Sequence, residues 1–354
     1  MGGRPATRDA GATVSGGAAG PRVGAWMIPA LVVSVIIAAL VGLATGAYPL
    51  TLHGMMQSLE KVLTGAPATT PEDRVLLLIR GPRVLAGIIA GAALAGAGVV
   101  YQGLFRNPLV SPDVLGVSAG AGLGAVIGIF LSVPLVAIQG FAFVGGLATV
   151  ALVYAIATVV QGRDPTLVLV LGGVVVGALA GAAISLLKIL ADPYDQLPAI
   201  TFWLLGSLAS TRAGDVWGTL PAVVLGLVPL VLLRWRINVL SLGDEEALSL
   251  GVEAGRIRAV LIAAATLMTA SVVAITGVIG WVGLVIPHIA RMLVGPNFER
   301  LLPSAMLMGA AYLVLVDTLA RSIGRIEVPI GILTAVVGAP FFVWLLWRGR
   351  HGWS

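Results

Sequence analysis

The sequence contains no cysteine and only three histidines among its 354 residues. Without cysteine the chain can form no disulfide, no thiolate nucleophile and no zinc–thiolate site. The histidines, His53, His288 and His351, are far apart in the chain and argue against a histidine-rich metal site. We therefore expect this chain to bind no metal and no cofactor of its own.

Charge is also scarce, and this scarcity indicates the class of protein. Charged residues make up 10% of the chain and hydrophobic residues 58%, with a mean hydropathy of +1.03. Soluble domains carry roughly a quarter charged residues, and a soluble core could not absorb this much apolar surface. The composition predicts an all-α polytopic membrane protein. The net charge of +5 comes mainly from arginines scattered between apolar runs, which favours membrane topology over a nucleic-acid partner.

Neither of two enzyme signatures supports catalysis by this chain. The pattern G-x-x-x-x-G-K-[ST] is absent from the sequence, so the chain has no P-loop with which to hold ATP phosphates. Residues 116–120 fit the G-x-S-x-G nucleophile elbow, but they open a glycine-striped apolar run where the elbow needs a preceding strand. We therefore expect that this chain is not an enzyme.

About 20 apolar residues cross a bilayer as a helix, and the apolar runs predict ten spans. Residues 192–210 are interrupted by Pro193 and Pro198, which predicts a short re-entrant or surface helix there. The ten spans are predicted at 25–47, 84–104, 114–132, 136–161, 166–190, 215–233, 258–276, 279–294, 303–323 and 329–348.

The distribution of positive residues predicts the orientation. With the N-terminus inside, inner segments hold thirteen of the 21 Lys and Arg residues and outer segments hold eight. This bias favours cytoplasmic N- and C-termini. Residues 1–24 then form a disordered cytoplasmic tail, 25–348 the membrane domain and 349–354 a second cytoplasmic tail.

Glycines recur every fourth residue in two of the predicted spans. One stripe is Gly116, Gly120, Gly124 and Gly128, and the other is Gly173, Gly177 and Gly181. A spacing of four puts each stripe on one helix face, where small residues let helix backbones approach closely. Both stripes predict tight helix packing.

An acidic segment at 240–252 interrupts the apolar sequence on the predicted inner face. It lies between Arg234 with Arg236 and Arg256 with Arg258. Ser241 with Asp244 could cap the start of a short helix, and Gly251 could end it. A compact acidic helix on a basic membrane face predicts a docking site for a soluble partner.

Positive residues on the predicted outer face suggest a second docking site. Arg80 and Arg83 flank Gly81 and Pro82, and fixed guanidiniums can grip carboxylates of a partner or lipid headgroups. Asp317, an acid inside a predicted span, precedes Arg321 by one helical turn. We expect an ion pair that orients Arg321 outward; proton or cation coupling through Asp317 stays open.

Prolines mark a turn and a kink near the inner face. Pro108 and Pro112 prevent a continuous helix after residue 104, so Asn107, Pro108 and Leu109 must lie in a turn. Pro287 predicts a kink beside His288, which is either a satisfied interfacial histidine or part of a proton relay.

These segments together resemble the ABC-transporter permeases for iron siderophores, haem and vitamin B12. The coupling pattern LNxLxLGDExAxxLG matches 238–251, and RLPR, QxxxRNPLAxPxxLG and GxIxFVGLxxPHxxR match 80–83, 102–116 and 277–291. A closing EIPVGxxTAxxGxPxF matches 327–342, and WxxGSL matches 203–208. Departures from these patterns include Ile237 for Leu, Gly81 for Leu and Trp281 for Phe.

The resemblance implies a type II ABC importer permease in a bacterial inner membrane. It implies a homodimer, two ATPase subunits that use ATP and Mg, and an extracytoplasmic binding protein. Coupling helices are expected at about 240–257. The implied cytoplasmic gate is Asn107, Leu109 and Thr166. The implied ATPase contacts are Gly243, Asp244, Glu245, Ala247, Leu248, Leu250 and Gly251, and the implied binding-protein contacts are Arg80, Arg83 and Arg321.

The cargo is the least determined part of this interpretation. The candidate spans offer mainly apolar and small polar groups. A ferric siderophore is the first expectation, with haem, cobalamin and an oxyanion such as molybdate as alternatives. The rival class is an ion-coupled secondary transporter that uses Asp317 and His288, but it leaves the segment 240–252 unexplained.

Overall fold

The computed structural model describes residues 26–46, 48–64, 67, 69–160, 165–324 and 326–349. The tail expected at 1–24, the last five residues of the tail expected at 349–354, and Arg163 and Arg325 lie outside this part. All regular secondary structure in the described residues is helical, which confirms the all-α prediction. The helices are α1 Met27–Ala44, α2 Leu52–Thr64, α3 Pro71–Arg74, α4 Gly81–Leu104, α5 Val117–Phe130, α6 Leu135–Val159, α7 Pro165–Leu190, α8 Gln196–Leu205, α9 Ala213–Leu232, α10 Arg234–Leu240, α11 Asp244–Ser249, α12 Ala254–Thr276, α13 Val282–Val294, α14 Phe298–Ala320 and α15 Ile330–Gly349.

The predicted spans agree with these helices to within a few residues at most ends. Within the described residues, seven helices are long and apolar enough to cross a bilayer. The predicted spans at 114–132, 279–294 and 329–348 correspond to the shorter apolar stretches Val117–Phe130, Val282–Val294 and Ile330–Leu345. The interrupted stretch 192–210 holds the ten-residue helix α8.

Three helices form the buried centre of the bundle. Most of the apolar window is buried in the span that contains α4 (78%), in α12 (72%) and in α14 (67%), far more than in the peripheral α1 (11%). Glycine allows α4 to pack this closely on its neighbours. A Cβ at Gly91 would clash with the Gly309 carbonyl of α14, and a Cβ at Gly98 would clash with the Gly283 carbonyl of α13. Backbone-to-backbone contact of this kind is typical of membrane helices.

The first glycine stripe packs as predicted, but the second does so at only one end. A Cβ at Gly120 would meet Gly145, and one at Gly124 would meet Phe141, so α5 and α6 touch through their backbones. On α7, Gly173 lies against the backbone of Val114, whereas Gly181 has no neighbour within 4 Å of an added Cβ in this chain. Close packing within this chain therefore explains Gly173 and not Gly181.

The sequence does not predict the capped helical extension that precedes the second span. The helix begins at Pro71, and residues 75–80 form a π-helical turn that leads into α4. The wider turn directly precedes Pro82, which has no amide hydrogen to donate. Asp73 fixes the cap, since its carboxylate accepts from the Lys61 ammonium at 2.7 Å and from the Ser58 hydroxyl at 2.7 Å.

The two ends of the bundle are chemically different. The coupling end, as we call it, holds α10, α11, the turn at 105–111 and the N-termini of α12 and α14. The far end holds α2, α3, the start of α4 and the C-terminus of α14. The predicted sites divide between these two ends.

Candidate gate and coupling site

The predicted gate turn follows directly from the end of α4. Arg106 has a φ of 48°, in the left-handed region, and the chain reverses there. The Asn107 side-chain oxygen accepts the Leu109 amide at 2.9 Å, and its carbonyl accepts the Val110 amide at 3.3 Å. This hydrogen-bonded Asn–Pro–Leu turn fixes the position of Leu109 relative to α4.

Leu109 reaches two helices that are distant in sequence. Pro108 and Leu109 border a cavity of about 10 Å³ together with His288 of α13 and Phe341 and Phe342 of α15. The His288 and Phe341 rings meet edge to face, with centroids 6.4 Å apart. The turn, the Pro–His segment and the closing segment thus form one apolar contact.

Trp281 stands at the position where the pattern GxIxFVGLxxPHxxR has Phe, seven residues before His288. Its φ is 71°, and its indole meets the Phe342 ring with centroids 6.5 Å apart. A Cβ at Gly338 would lie 2.7 Å from the indole. Gly338 therefore makes room for the larger ring, which joins the start of α13 to α15.

Thr166 lies in the first turn of α7 and is half-buried. α7 packs on the short 3-10 helix Pro112–Leu115 that follows the gate turn. The helix that carries Thr166 therefore packs on the element that follows the gate turn, and the gate role of Thr166 itself stays a prediction.

One carboxylate attaches the coupling helix α11 to the rest of the protein. Asp244 Oδ1 lies 3.1 Å from Arg258 Nη2 at the start of α12 and 3.7 Å from Arg106 Nη2 in the gate turn. Arg258 is buried, so the Asp244–Arg258 pair is shielded from water on one side. Asp244 thus contacts both a central helix and the gate turn.

A second set of polar contacts ties α10 to α14. The Asn238 side-chain oxygen accepts the Phe298 amide at 2.8 Å, and its amide donates to the Asn297 side chain at 3.2 Å. Asn297 caps α14 by accepting the Glu299 amide, and Glu299 lies 3.3 Å from Arg234. Movement of the α10–α11 segment would therefore act on α14 as well.

The expected coupling residues divide between two faces. Ala247 is fully buried and Gly243 is buried, whereas Glu245, Leu248 and Leu250 are exposed. With Leu242, the exposed residues form an acidic and apolar surface, which we call the α11 surface. Exposed leucines grouped in this way mark an interaction surface.

The ends of α11 differ from the cap predicted by sequence. Its N-cap is Gly243, with φ 141° and no side-chain cap. Ser241 instead donates its hydroxyl to the Asn238 carbonyl at the end of α10, so the predicted Ser241 cap is wrong. Asp244 does not cap the helix either, because its carboxylate is engaged by arginines. Gly251 follows the helix with φ 75°, consistent with the predicted end.

At the far end, two of the predicted docking arginines bind the C-terminus of α1. Arg80 donates to the carbonyls of Leu43 at 2.8 Å and Ala44 at 3.1 Å, and Arg321 donates to the Thr45 carbonyl at 2.7 Å and to that of Gly42. The last carbonyls of a helix lack partners within it and carry partial negative charge. Both arginines therefore stabilise the end of α1, and Arg321 does not point outward as expected.

The third arginine, Arg83, lies at the centre of an ion cluster that is buried except at Glu327. Its guanidinium is 2.8 Å from Asp317 and 2.9 Å from Glu327, whereas Arg321 is 3.5 Å from Asp317. The predicted Asp317–Arg321 pair is thus present, but Arg83 is the closer partner. In this conformation Arg80, Arg83 and Arg321 all bind groups of the same chain, and their docking role stays a prediction.

His288 and Asp317 do not form one site. His288 contacts the gate turn at the coupling end, and Asp317 lies in the ion cluster at the far end. Among the described residues, no group of three or more His, Cys, Asp or Glu could hold a metal ion. The two residues proposed for an ion relay are therefore not in contact.

Sequence reasoning missed the partners of these residues. From the sequence alone, Arg106 and Glu327 are recognisable only as members of motifs, and Arg258 only as a positive residue beside the acidic segment. The positive residues on either side of Asp244 could have suggested its pairing with Arg258. Its pairing with Arg106, more than a hundred residues away, is visible only in the folded structure.

Comparison with known proteins places this geometry in a family. The model of the FecCD transport family matches residues 32–348. The chain is 39% identical over 322 residues to the molybdate import permease MolB of Haemophilus influenzae (91% of this chain, 95% of the relative). It is 42% identical over 318 residues to the cobalamin import permease BtuC of Halobacterium salinarum (88% and 85%).

A solved structure supports the same assignment. An ABC transporter of metal-chelate type in an inward-facing conformation is 38% identical, covers 91% of this chain and 99% of its own, and superposes with a TM-score of 0.82. Further relatives are named as permeases for hemin and Fe(3+)-citrate. The chain belongs to the FecCD transport family and is a multi-pass ABC-transporter permease.

Proposed function

We propose that this permease imports a metal chelate, with a ferric siderophore as the first candidate cargo, and that it works as a homodimer. Two ATPase subunits dock on the α11 surface, and an extracytoplasmic binding protein docks at the far end. The coupling end then faces the cytoplasm, together with both termini. Energy comes from ATP and Mg held by the ATPases, since the sequence has no P-loop.

The contact between Asp244 and Arg106 is the observation that carries this proposal. It joins the helix that presents an exposed acidic and apolar surface to the turn that positions Leu109. A partner that moves α11 therefore acts on the gate turn through one ion pair. Asp244 also binds Arg258, so α12 moves with the same helix.

Gating follows from the contacts of Leu109. When the turn shifts, Leu109 leaves or enters the apolar contact with His288 and Phe341. ATP binding that closes the ATPase dimer would move two α11 helices together, and each would carry its own gate turn. The permease would then alternate between two states whose populations are set by the ATPases.

Membership of an ABC-transporter family removes the reason for an ion-coupled mechanism. Asp317 already has Arg83 and Arg321 as partners, and a buried carboxylate of this kind needs them for its own stability. We assign Asp317 a structural role at the far end, where it holds Arg83 in place.

The cargo is best tested with the complete transporter in liposomes. The permease, its ATPase and its binding protein are reconstituted, and ATP-dependent uptake of a ferric siderophore, hemin, cobalamin and molybdate is compared. Uptake of a ferric siderophore above the others supports the proposal. Uptake of molybdate alone would replace it, and MolB, which matches 91% of this chain, makes an oxyanion the second candidate.

ATPase docking is tested by co-purification. The wild-type permease should retain its ATPase through two chromatographic steps, and uptake should stop when ATP hydrolysis is blocked. Uptake that survives loss of ATP hydrolysis but collapses with an uncoupler would overturn the proposal in favour of ion coupling.

A further inference from the structure

A groove at the far end is used by none of the sites described above. α6 and α9 both pack on α12, one on each side, and leave a cavity of about 790 Å³ between them. The α12 residues Ser271, Ala274 and Ile275 form its floor. None of the residues that line this groove belongs to α4 or to the gate turn.

Small residues keep the groove open. Gly140 of α6 and Gly214 and Gly218 of α9 line it, and a Cβ added at any of the three would have no atom within 4 Å. The Ser271 hydroxyl donates to the Leu267 carbonyl at 2.6 Å, so this floor residue needs no further partner. The interior is therefore apolar, with its polar groups concentrated at the mouth.

The mouth carries one unpaired positive charge. Arg212 is exposed, and its guanidinium has no hydrogen-bond or ion-pair partner among the residues that the structure describes. The nearby Asp215 carboxylate keeps its negative charge, but its two oxygens accept from Gln139 Nε2 at 3.0 Å and from the Arg212 backbone amide at 2.7 Å, so it is held by these donors and not by the Arg212 guanidinium. Trp217, exposed five residues along α9, is typical of the membrane interface.

The length of the groove fits one leaflet. The α9 wall runs from Arg212 to Ala222, which at 1.5 Å per residue is roughly 15 Å. The hydrocarbon core of a bilayer is about 30 Å thick, so the groove spans about half of it. A cation at the interface above an apolar channel of this length complements a lipid phosphate above its acyl chain.

A protein helix fits the groove less well. The hydrogen bond from Gln139 to Asp215 joins the two walls side chain to side chain. A helix with its side chains is about 10–12 Å wide and would have to break this bridge, whereas a single acyl chain can run beside it. We propose that the groove binds a phospholipid, with one acyl chain between α6 and α9 and the phosphate on Arg212.

Photolabelling of the full-length protein tests this proposal. The purified chain in a maltoside detergent is labelled with phosphatidylglycerol that carries a diazirine on one acyl chain, and separately with diacylglycerol that carries the same chain but no phosphate. We expect phosphatidylglycerol to label segments 135–143 and 214–222 about fivefold more than diacylglycerol, the factor expected for one basic residue at a membrane surface. The proposal would be overturned if both lipids labelled these segments equally, or if the peripheral helix α1 were labelled as strongly as these segments.

Two variants with matched controls separate headgroup binding from chain binding. Arg212→Gln should lower phosphatidylglycerol labelling to the diacylglycerol level, while Arg74→Gln, which removes an exposed charge at the same end, should not. Gly218→Leu should block labelling by both lipids, while Gly181→Leu on α7 should leave it unchanged. If Gly218→Cys instead crosslinks to another protein chain in membranes, the occupant is a protein and the proposal fails.

Discussion

Arg106 Nη2 lies 3.7 Å from Asp244 Oδ1, which joins the gate turn to the coupling helix although the two residues are far apart in sequence. Arg258 holds the same carboxylate at 3.1 Å and is much less exposed than Arg106. The two arginines therefore have different duties. Arg258 anchors α11 to α12, whereas Arg106 links the position of α11 to that of the gate turn.

Removing the Arg106 charge should uncouple the ATPase from the gate. Arg106 and Asp244 are both about half exposed, so Arg106→Gln should lower the free energy of unfolding by less than about 1 kcal/mol. Transport should nevertheless fall by at least about fivefold, the lower end of typical coupling between sites, while ATP hydrolysis continues. Uptake and hydrolysis are measured together in liposomes.

Arg256→Gln is the matched control for that experiment. Arg256 is exposed, and among the described residues its one ion pair is with Glu253, one turn away on the same segment. It should transport normally. Equal uptake by the Arg106 and Arg256 variants would show that the ion pair does not transmit the movement.

The α11 surface should bind its partner through exposed residues only. Glu245→Arg should weaken ATPase binding about tenfold without unfolding the permease, because it reverses a charge at an interface. Ala247→Leu should instead destabilise the permease by about 1–3 kcal/mol, since Ala247 is fully buried and has no room for a larger side chain. Pull-down of the ATPase and thermal unfolding of the permease distinguish the two effects. Normal ATPase binding by Glu245→Arg would remove α11 from the interface.

The far-end ion cluster should contribute strongly to stability. Asp317→Asn leaves the buried Arg83 without its closest counter-charge and should lower the free energy of unfolding by about 3 kcal/mol. Glu327 is 41% exposed, so Glu327→Gln should cost less than about 1 kcal/mol. Unfolding by titration with a denaturing detergent gives both values. Similar costs for the two variants would contradict this division of roles.

The same cluster shows what the sequence could and could not predict. Helix positions followed from apolar length, and the gate turn followed from Pro108 and Pro112, because these are local properties of the chain. Asp317 was correctly expected to need a partner, and Arg321 was the only candidate within one helical turn. The closer partner, Arg83, is 234 residues away, and only the packing of α4 on α14 brings it near.

The role of Arg321 is a second feature that the sequence alone does not reveal. Its role depends on the unpaired carbonyls at the end of α1, a group that every helix has and no sequence motif marks. Likewise, the motif match grouped Ala247 with Glu245 and Leu248, but Ala247 is fully buried whereas Leu248 is exposed. Motifs identified the segments, and packing decided which side chains in them can meet a partner.

The final prediction concerns Leu109 and the two-fold axis of the proposed homodimer. The hydrogen bond from the Leu109 amide to Asn107 fixes the turn, and in a symmetric dimer each turn would approach its own copy. In this cysteine-free chain, Leu109→Cys should therefore crosslink between protomers when the coupling end is closed and less when it opens. A disulfide needs Cα atoms within about 7 Å, which makes the test stringent. Ser111→Cys, two residues farther along the loop, is the control and should respond less to the nucleotide bound by the ATPases. If Leu109→Cys never crosslinks in any nucleotide state while a cysteine at Thr166 does, the constriction is formed by α7, and the turn at 107–109 only supports it.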